Sequence, residues 1–318
     1  MHLITEAQVR ANLTLSEATD ALREAFVQQG RGQGAMLARG RAAVQHEGRA
    51  LMVSAMGAAL PGSDVLGTKV YSSINGQFQF VITLFSATTG LPLATLEANE
   101  LTRLRTAAAT AVATDALAPA DAKVLAIFGA GTQAKAHAQA LLPLRGFERV
   151  LVCARSGAAE FAAELSAAKN IPAEAVDART AASNADVIVT CTRANDPLFE
   201  GGLVKPGAFV AAVGSSKPVA RELDDALLAR AALIVVEWLP AAEAEAGEFR
   251  RAAPGVIVPD KVVELGALLN APRPRSAADI TVYKSVGIGL EDVALARLVY
   301  QRLSAQGGLD NAQHIAGA

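Results

Sequence analysis

An apolar, strand-like run that passes through two glycines directly into a helix is the feature that most constrains this fold. It occupies residues 124–137 and reads VLAIFGAGTQAKAH. Gly129 permits a tight turn, Gly131 lets the backbone approach a pyrophosphate, and Ala134 is small enough for the helix to pack on the strand. The first amides of the helix then face the anion. The pattern therefore predicts a dinucleotide-binding turn.

Further strands follow this turn, separated by helical patterns. Their apolar runs are nearly continuous, which is typical of strands covered on both faces in a parallel sheet. The sequence predicts an α/β protein with a Rossmann doubly wound parallel sheet. The expected strands after the turn cover 149–153, 185–191, 208–213, 232–236 and 280–285.

The residues before the turn have a different pattern. Short runs at 67–73, 79–85 and 91–97 are joined by Asn75-Gly76 and Thr88-Thr89-Gly90. Such turn residues favour an antiparallel meander. We therefore expect an α+β domain with an antiparallel sheet at residues 1–118, followed by the dinucleotide-binding domain at 119–290.

The last helical pattern carries Val293, Ala296, Tyr300 and Leu303 on one apolar face. We expect it to leave the dinucleotide domain and complete the first domain with residues 291–318. The alternative is an ordinary final Rossmann helix. From Gly307 onward the sequence is typical of a loose tail.

Composition excludes several classes of function. The formal net charge is −2 and no basic run occurs, so nucleic acid and anionic lipid are not expected partners. The N-terminus lacks an export pattern and no uncharged stretch approaches the roughly 20 residues of a membrane span, so a cytoplasmic protein is expected. Cys153 and Cys191 lie in apolar runs and favour buried free thiols. The histidines show no ligand spacing, so no metal is predicted.

The second strand of the dinucleotide domain indicates which cofactor binds. NAD-binding proteins usually carry Asp or Glu at its tip, whereas NADP-binding proteins carry positive or neutral donors. Here the strand ends Cys153-Ala154-Arg155-Ser156. Arg155 and Ser156 can both bond a 2′-phosphate. NADP(H) is therefore favoured, and NAD(H) remains possible.

Five further stretches, in this order, carry a resemblance to a known family. They are GTK at 67–69, LTRLRTAA at 101–108, the turn at 129–137, AVGSSKP at 212–218 with ELDD at 222–225, and KSVG at 284–287 with Glu291-Asp292. Together they resemble the ornithine cyclodeaminase/μ-crystallin family over residues 35 to 305. The resemblance implies a homodimer whose first domains pair their sheets, with the active site in a cleft between domains.

The resemblance also implies residues for the substrate. Lys69 matches the family lysine that contacts the substrate carboxylate, and Arg39 best matches the arginine that clamps it. Arg41 is the alternative, because the register there depends on a one-residue gap. A guanidinium and an ammonium together suit an α-amino or α-imino acid.

Cofactor contacts are implied in the same way. Arg105 and Thr106 match contacts at the start of a helix, and a cation there suits a diphosphate. Thr190 and Thr192 line the nicotinamide side, and Gly214 lets the chain pass close to the cofactor ring. Ser285 and the substrate-binding Val286 close the far wall. The complete cofactor set expected is Arg105, Thr106, Gly129, Gly131, Thr132, Gln133, Arg155, Ser156, Thr190, Thr192, Val213, Gly214 and Ser285.

One position departs from the deaminating members of the family. They carry an aspartate in the segment matched by residues 212–218, where this chain has Ser216. A serine cannot act as a general base near neutral pH without an activating neighbour. If the loop register differs, Lys217 or Asp224 takes this place.

The sequence therefore predicts an NADPH-dependent reductase of small cyclic ketimine carboxylates, such as Δ1-pyrroline-2-carboxylate or Δ1-piperideine-2-carboxylate. Lys69 and Ser216 are the expected catalytic residues. The alternatives are an ornithine cyclodeaminase or alanine-type amino-acid dehydrogenase, and a non-catalytic protein that binds NADPH or another ligand.

Overall fold

The computed structural model describes residues 1–309, so most of the expected tail, residues 310–318, lies outside the described residues. In chain order the elements are β1 (His2–Ile4), α1 (Glu6–Asn12), α2 (Leu15–Gly30), β2 (Ala35–His46), β3 (Arg49–Leu60), β4 (Val65–Ile74), β5 (Gln77–Phe85), β6 (Pro92–Glu97), α3 (Asn99–Leu117), β7 (Val124–Phe128), α4 (Thr132–Leu141), β8 (Arg149–Cys153), α5 (Ala158–Lys169), β9 (Ala173–Ala175), α6 (Ala178–Asn184), β10 (Val187–Thr190), β11 (Phe209–Ala212), α7 (Asp225–Arg230), β12 (Leu233–Val236), α8 (Leu239–Glu245), α9 (Gly247–Arg250), β13 (Val262–Glu264), α10 (Leu265–Asn270), β14 (Thr281–Lys284) and α11 (Gly289–Ala305).

These elements form two compact units. The first contains residues 1–109 and 288–309, and the second contains Thr110–Gly287. The division falls within α3, whereas the sequence places a boundary after residue 118. The assignment of functions to two domains stays a prediction.

The first unit is built on a six-stranded sheet in the order β1-β6-β5-β4-β3-β2. The predicted meander corresponds to β4, β5 and β6, which are antiparallel neighbours. Two features differ from expectation: β1 adds to β6 in parallel, and the twelve-residue strands β2 and β3 were not predicted. Alanine, glycine and arginine dominate β2, and these residues give little strand signal.

Helix α11 packs on β3, β4 and α2. This is one of the two placements that the sequence left open. Three glycines permit the close approach. A Cβ on Gly289 would lie 2.3 Å from the carbonyl oxygen of Gly57, and a Cβ on Gly67 would lie 3.0 Å from Cγ2 of Val293 on α11. The first turn of α11 therefore reaches the sheet.

The second unit is an eight-stranded sheet in the order β13-β12-β14-β11-β10-β7-β8-β9, and every adjacent pair described is parallel. The predicted strands fall within two residues of their expected bounds, whereas the short edge strands β9 and β13 were not predicted. From β7 the chain builds outward on one side through β8 and then on the other through β10. Ligands bind at such a switch point, beyond the carboxyl ends of the strands.

No helix within residues 1–309 combines the length and apolar character needed to cross a membrane.

Candidate functional site

Lys69 is held inside the first unit by a carboxylate. It lies on β4, is 1% exposed, and its Nζ atom is 2.8 Å from both carboxylate oxygens of Asp292 in the first turn of α11. A charge is buried at little cost only when it is paired and hydrogen bonded. The close approach of α11 to the sheet supplies that pairing.

Arg105, on α3, joins the same cluster. Its Nη1 donates to Oε2 of Glu291 at 2.7 Å, and its Nε lies 3.5 Å from Oδ1 of Asp292. Glu291 and Asp292 are both fully buried. The expected contacts of Arg105 and Thr106 with a cofactor stay predictions, and the Thr106 hydroxyl donates to the carbonyl of Thr102.

The two candidate arginines of β2 differ in their surroundings. The register of β2 on β3 shifts between Leu37 and Gly40, and within this irregularity Arg39 is half-buried and donates from Nε to Sδ of Met56 at 3.1 Å. Met56 is the register partner of Lys69. Arg41 is exposed. The structure therefore brings Arg39, and not Arg41, toward Lys69.

Aromatic rings form the other side of the Lys69 environment. Its Nζ lies 5.9 Å from the ring centre of Tyr71 and 5.4 Å from that of Phe80, within the range of cation–π attraction. Phe78 stacks on Phe80 with centres 5.8 Å apart. The cluster thus combines cations with an apolar wall.

Burial lowers the pKa of Lys69 to about 7, and the positive charges of Arg105 and Arg39 act in the same direction. Asp292 opposes this effect by favouring the ammonium form. A lysine with a pKa near neutrality can bind an anion and can also exchange a proton.

The glycine turn of the second unit has the geometry of a phosphate cradle. Gly129 has φ of +116°, and a Cβ there would lie 2.8 Å from the carbonyl oxygen of Cys191. A Cβ on Gly131 would meet only open space, so the turn leaves room for a ligand. Helix α4 begins at Thr132 with no side-chain cap, and Oε1 of Gln133 is buried without a hydrogen-bond partner. These features fit a dinucleotide diphosphate.

Arg155 and Ser156 are exposed just beyond β8. The turn that contains them lies against the glycine turn, because the Cβ position of Gly157 is 3.6 Å from Cβ of Ala130. Their placement suits the adenosine end of a nucleotide bound at this turn.

The expected nicotinamide-side residues converge on a glutamate that the sequence analysis gave no role. Glu222 is fully buried and accepts hydrogen bonds from the Thr190 hydroxyl, the Thr192 hydroxyl and amide, and the Gly214 amide, at 2.7 to 2.9 Å. Val213, beside Gly214, donates its amide to the Thr190 carbonyl. The motif at 222–225 contained the signal, but a glutamate in a loop resembles a surface charge.

A second buried glutamate binds the loop after β14, which contains Ser285 and Val286, the residues expected to close the far wall. Glu237 accepts from the hydroxyl groups of Tyr283 and Ser285 and from the amides of Val286 and Gly287. It follows β12, whose C-terminal end lies beside that of β14. Glu237 was not predicted, because only the parallel pairing of these strands brings it to this loop.

The three candidates for the acid–base position differ in burial and partners. Ser216 is half-buried and Lys217 is exposed. Asp224 caps α7, since its carboxylate accepts from the amides of Leu227 and Gly201. Asp224 thus uses its carboxylate to cap the helix, although it would need the same group for catalysis if it took the place assigned to Ser216. The role of Ser216 stays a prediction.

Neither cysteine of the chain forms a disulfide, and both are partly exposed. Cys153 and Cys191 are free thiols, and burial raises the pKa of each. Within residues 1–309, no cluster of three or more His, Cys, Asp or Glu side chains could hold a metal ion.

Curated relatives resemble the chain over most of its length. It is 35% identical to mouse ketimine reductase mu-crystallin over 251 residues, covering 76% of this chain and 77% of that protein. It is 33% identical to the iminosuccinate reductase of Paracoccus denitrificans over 323 residues, covering 96% of this chain and 98% of the relative.

Solved structures share the fold. A probable ornithine cyclodeaminase from Bordetella pertussis Tohama I has a TM-score of 0.92 at 44% identity, covering 97% of this chain and 99% of that one. The Δ1-pyrroline-2-carboxylate reductase of Thermococcus litoralis, in complex with NADH and L-proline, has a TM-score of 0.89 at 28% identity, covering 98% and 100%. An archaeal alanine dehydrogenase dimer with bound NAD has a TM-score of 0.87 at 29% identity, covering 96% and 97%.

The family profile described as "Ornithine cyclodeaminase/mu-crystallin family" matches residues 1–307. The match spans both units and includes Lys69, the glycine turn and the Glu291-Asp292 pair. The chain therefore belongs to the ornithine cyclodeaminase/mu-crystallin family.

Proposed function

We propose that this protein reduces small cyclic ketimine carboxylates, with Δ1-pyrroline-2-carboxylate and Δ1-piperideine-2-carboxylate as its substrates and a nicotinamide cofactor as hydride donor. The observation that carries the proposal is the buried cluster of Lys69, Arg105, Glu291 and Asp292. The names of its relatives, which include a ketimine reductase and a pyrroline-2-carboxylate reductase, support the same reaction.

The cationic side chains in and beside this cluster supply the carboxylate site. Arg39 and Lys69 anchor the substrate carboxylate. Arg105 shares Asp292 with Lys69, and its contact with the cofactor stays a prediction. Tyr71 and Phe80 beside Lys69 provide apolar surface for a hydrocarbon ring. Such a pocket favours one carboxylate on an apolar ring.

The chemistry asked of the side chains is modest. A protonated imine carbon is already electrophilic, so the protein must mainly hold the imine face in one orientation and exclude water. Before the imine is protonated, we assign the Ser216 hydroxyl a hydrogen bond to its neutral nitrogen, or to a water that protonates it. Lys69, with its pKa lowered toward neutrality, can also exchange a proton.

Ser216 also argues against ornithine cyclodeamination. Loss of ammonia needs a base near the amine, and a serine hydroxyl lacks the basicity of the aspartate that deaminating relatives carry. We therefore rank reduction above cyclodeamination, although the Bordetella structure bears the name of a probable ornithine cyclodeaminase.

NADPH is the proposed physiological donor. Arg155 and Ser156 follow β8 where a carboxylate would otherwise bind the ribose hydroxyls. The solved relatives contain NADH or NAD, which supports a pyridine nucleotide without separating the two forms.

A homodimer completes the proposal. The outer face of the β2–β5 sheet carries apolar side chains that are 41% to 60% exposed, namely Val44, Val53, Val70, Ile74 and Val81. A patch of this kind is typical of an interface, and the alanine dehydrogenase relative is a dimer. Light scattering should give a dimer for the wild type and for Val258→Glu, and a monomer for Val70→Glu. A wild-type monomer would overturn this part.

Initial rates of NADPH oxidation test the reaction. Δ1-pyrroline-2-carboxylate, Δ1-piperideine-2-carboxylate and iminosuccinate should be compared under one set of conditions. The proposal predicts that kcat/KM for at least one cyclic substrate exceeds that for iminosuccinate. A higher kcat/KM for iminosuccinate would contradict the choice of a cyclic substrate. Tight NADPH binding without turnover of any imine would favour the non-catalytic alternative.

A further inference from the structure

Thr190, Thr192 and Gly214, three of the residues expected along the nicotinamide half of the dinucleotide site, belong to two separate segments. Thr190 ends β10 and Thr192 follows it, whereas Gly214 follows β11. These strands are parallel neighbours, and β10 also pairs with β7, which leads into the glycine turn. The two segments therefore leave the same edge of the sheet beside the switch point.

One carboxylate ties these segments together. Oε2 of Glu222 accepts from the Thr190 hydroxyl at 2.7 Å and from the Gly214 amide at 2.8 Å, while Oε1 accepts from the Thr192 amide at 2.9 Å and hydroxyl at 2.7 Å. A carboxylate is acceptor-only when ionised and has lone pairs for all four donors. A glutamine would turn its amide group, a donor, toward half of them.

Glu222 is itself fixed by a buried ion pair. Its amide donates to Oε1 of Glu248 at 2.9 Å, and Oε2 of Glu248 lies 3.0 Å from Nζ of Lys284. Lys284 also donates to the carbonyl of Ser215 at 2.8 Å, so the loop after β11 is held from both sides. All three charged side chains are at most 1% exposed.

Close packing leaves these segments little freedom. A Cβ on Gly214 would lie 2.2 Å from the Thr192 carbonyl oxygen and 2.4 Å from Oε1 of Glu222. The backbone after β11 can therefore approach Thr192 only through a glycine, and the Glu222 side chain accepts hydrogen bonds from both segments.

We propose that Glu222 is a positioning residue that sets the nicotinamide half of the cofactor site by holding Thr190, Thr192 and Gly214 in one arrangement. It acts through those residues. In the described part of the chain, the adenosine half, at the glycine turn and Arg155, donates no hydrogen bond to the Glu222 carboxylate. The proposal rests on the pyridine nucleotide cofactor and is independent of which imine is reduced.

Binding of two probes separates these halves. NADH contains the nicotinamide ring, whereas ADP-ribose carries the same adenosine diphosphate without it. Calorimetric titration of substrate-free protein should show that Glu222→Gln raises the Kd for NADH about tenfold to a hundredfold, the range for disrupting hydrogen bonds to a charged group. The Kd for ADP-ribose should stay within about twofold of its wild-type value.

Asp224→Asn is the matched control. Asp224 lies two residues away and also accepts backbone amides, but it caps α7. Its substitution should leave both Kd values within about twofold, because its donors Leu227 and Gly201 are not among the expected cofactor contacts. A parallel rise in both Kd values for Glu222→Gln, or a change in neither, would overturn the proposal.

Two further variants keep the test decisive. If Glu222→Gln does not fold, Glu222→Asp keeps the charge but shortens the side chain. The Kd for NADH should again rise while the Kd for ADP-ribose stays close to wild type. In a double-mutant cycle with Thr192→Val, the effects on NADH binding should be strongly non-additive if Glu222 acts through Thr192. Additive effects would show independent action and contradict the proposed role.

Discussion

Lys69 and Asp292 form a buried ion pair although 223 positions separate them in the sequence, with Nζ 2.8 Å from both carboxylate oxygens. The pairing exists because α11 returns to the first unit and because Gly57, Gly67 and Gly289 let its first turn touch the sheet. The lysine side chain is thereby held in one orientation.

Replacing Lys69 by alanine should lower kcat/KM for the cyclic imino acid by at least about a hundredfold. This is the loss expected for one charged hydrogen bond together with the orientation that it enforces. The Kd for NADPH should change little, and circular dichroism should show a folded protein. The exposed Lys123→Ala serves as control. Normal imine turnover in the Lys69 variant would remove this residue from the substrate site.

The lowered pKa of Lys69 predicts a pH dependence. Because the ammonium form binds the carboxylate and the folded pKa is about 7, kcat/KM should fall as the pH rises through that value. An arginine keeps its charge throughout this range. Comparing wild type with Lys69→Arg on the same substrate cancels the titration of the imine itself. The alkaline decline should be weaker in the variant. Identical profile shapes would assign the decline to another group.

Arg155→Asp should shift cofactor preference from NADPH toward NADH. The change removes a partner of the 2′-phosphate and supplies an acceptor for the ribose hydroxyls. The Kd for NADPH should rise about tenfold to a hundredfold. Fluorescence titration with both cofactors measures the ratio of the Kd for NADPH to the Kd for NADH. If the ratio stays within about twofold of wild type, Arg155 is only a surface charge.

Acid should destabilise the protein through His137. This side chain is fully buried, contacts the Thr110 hydroxyl through Nε2 and the Gln133 carbonyl through Nδ1, and burial lowers its pKa to about 4. The unfolded chain therefore takes up the proton first, near pH 6.5, and stability is lost as the pH falls from there toward 4.

The expected contribution of His137 between pH 7 and pH 5 is about 2 kcal/mol. Urea unfolding at pH 7 and pH 5 measures the free energy of unfolding of each protein. The decrease between the two pH values should be larger by this amount in the wild type than in His137→Gln, whose side chain does not titrate. Equal losses in both proteins would assign the acid sensitivity to other groups.

Sequence reasoning was most successful where structure is determined locally. The strand, glycine turn and helix at β7 and α4 follow from neighbouring residues, because the φ of Gly129 excludes most other side chains. By contrast, β2 and β3 lack a strong local pattern. Their pairing depends on β4 and on the helix that covers the sheet.

The charged partners could not be predicted for a related reason. Glu291, Asp292 and Glu222 belong to stretches that carry the family resemblance, but the sequence assigned none of them a partner, and Glu237 lies outside those stretches. Each is buried because distant segments meet around it. The family resemblance identified Lys69. Its pairing with Asp292 could not be predicted, because the two residues are far apart in the sequence.

Product stoichiometry tests the central claim most directly. The protein should be incubated with NADPH and Δ1-pyrroline-2-carboxylate, and separately with ornithine and NAD, while proline, oxidised cofactor and ammonia are measured. We predict one proline formed for each NADPH oxidised in the first mixture and almost no ammonia in the second. Proline and ammonia formed from ornithine at rates comparable to imine reduction would contradict the account.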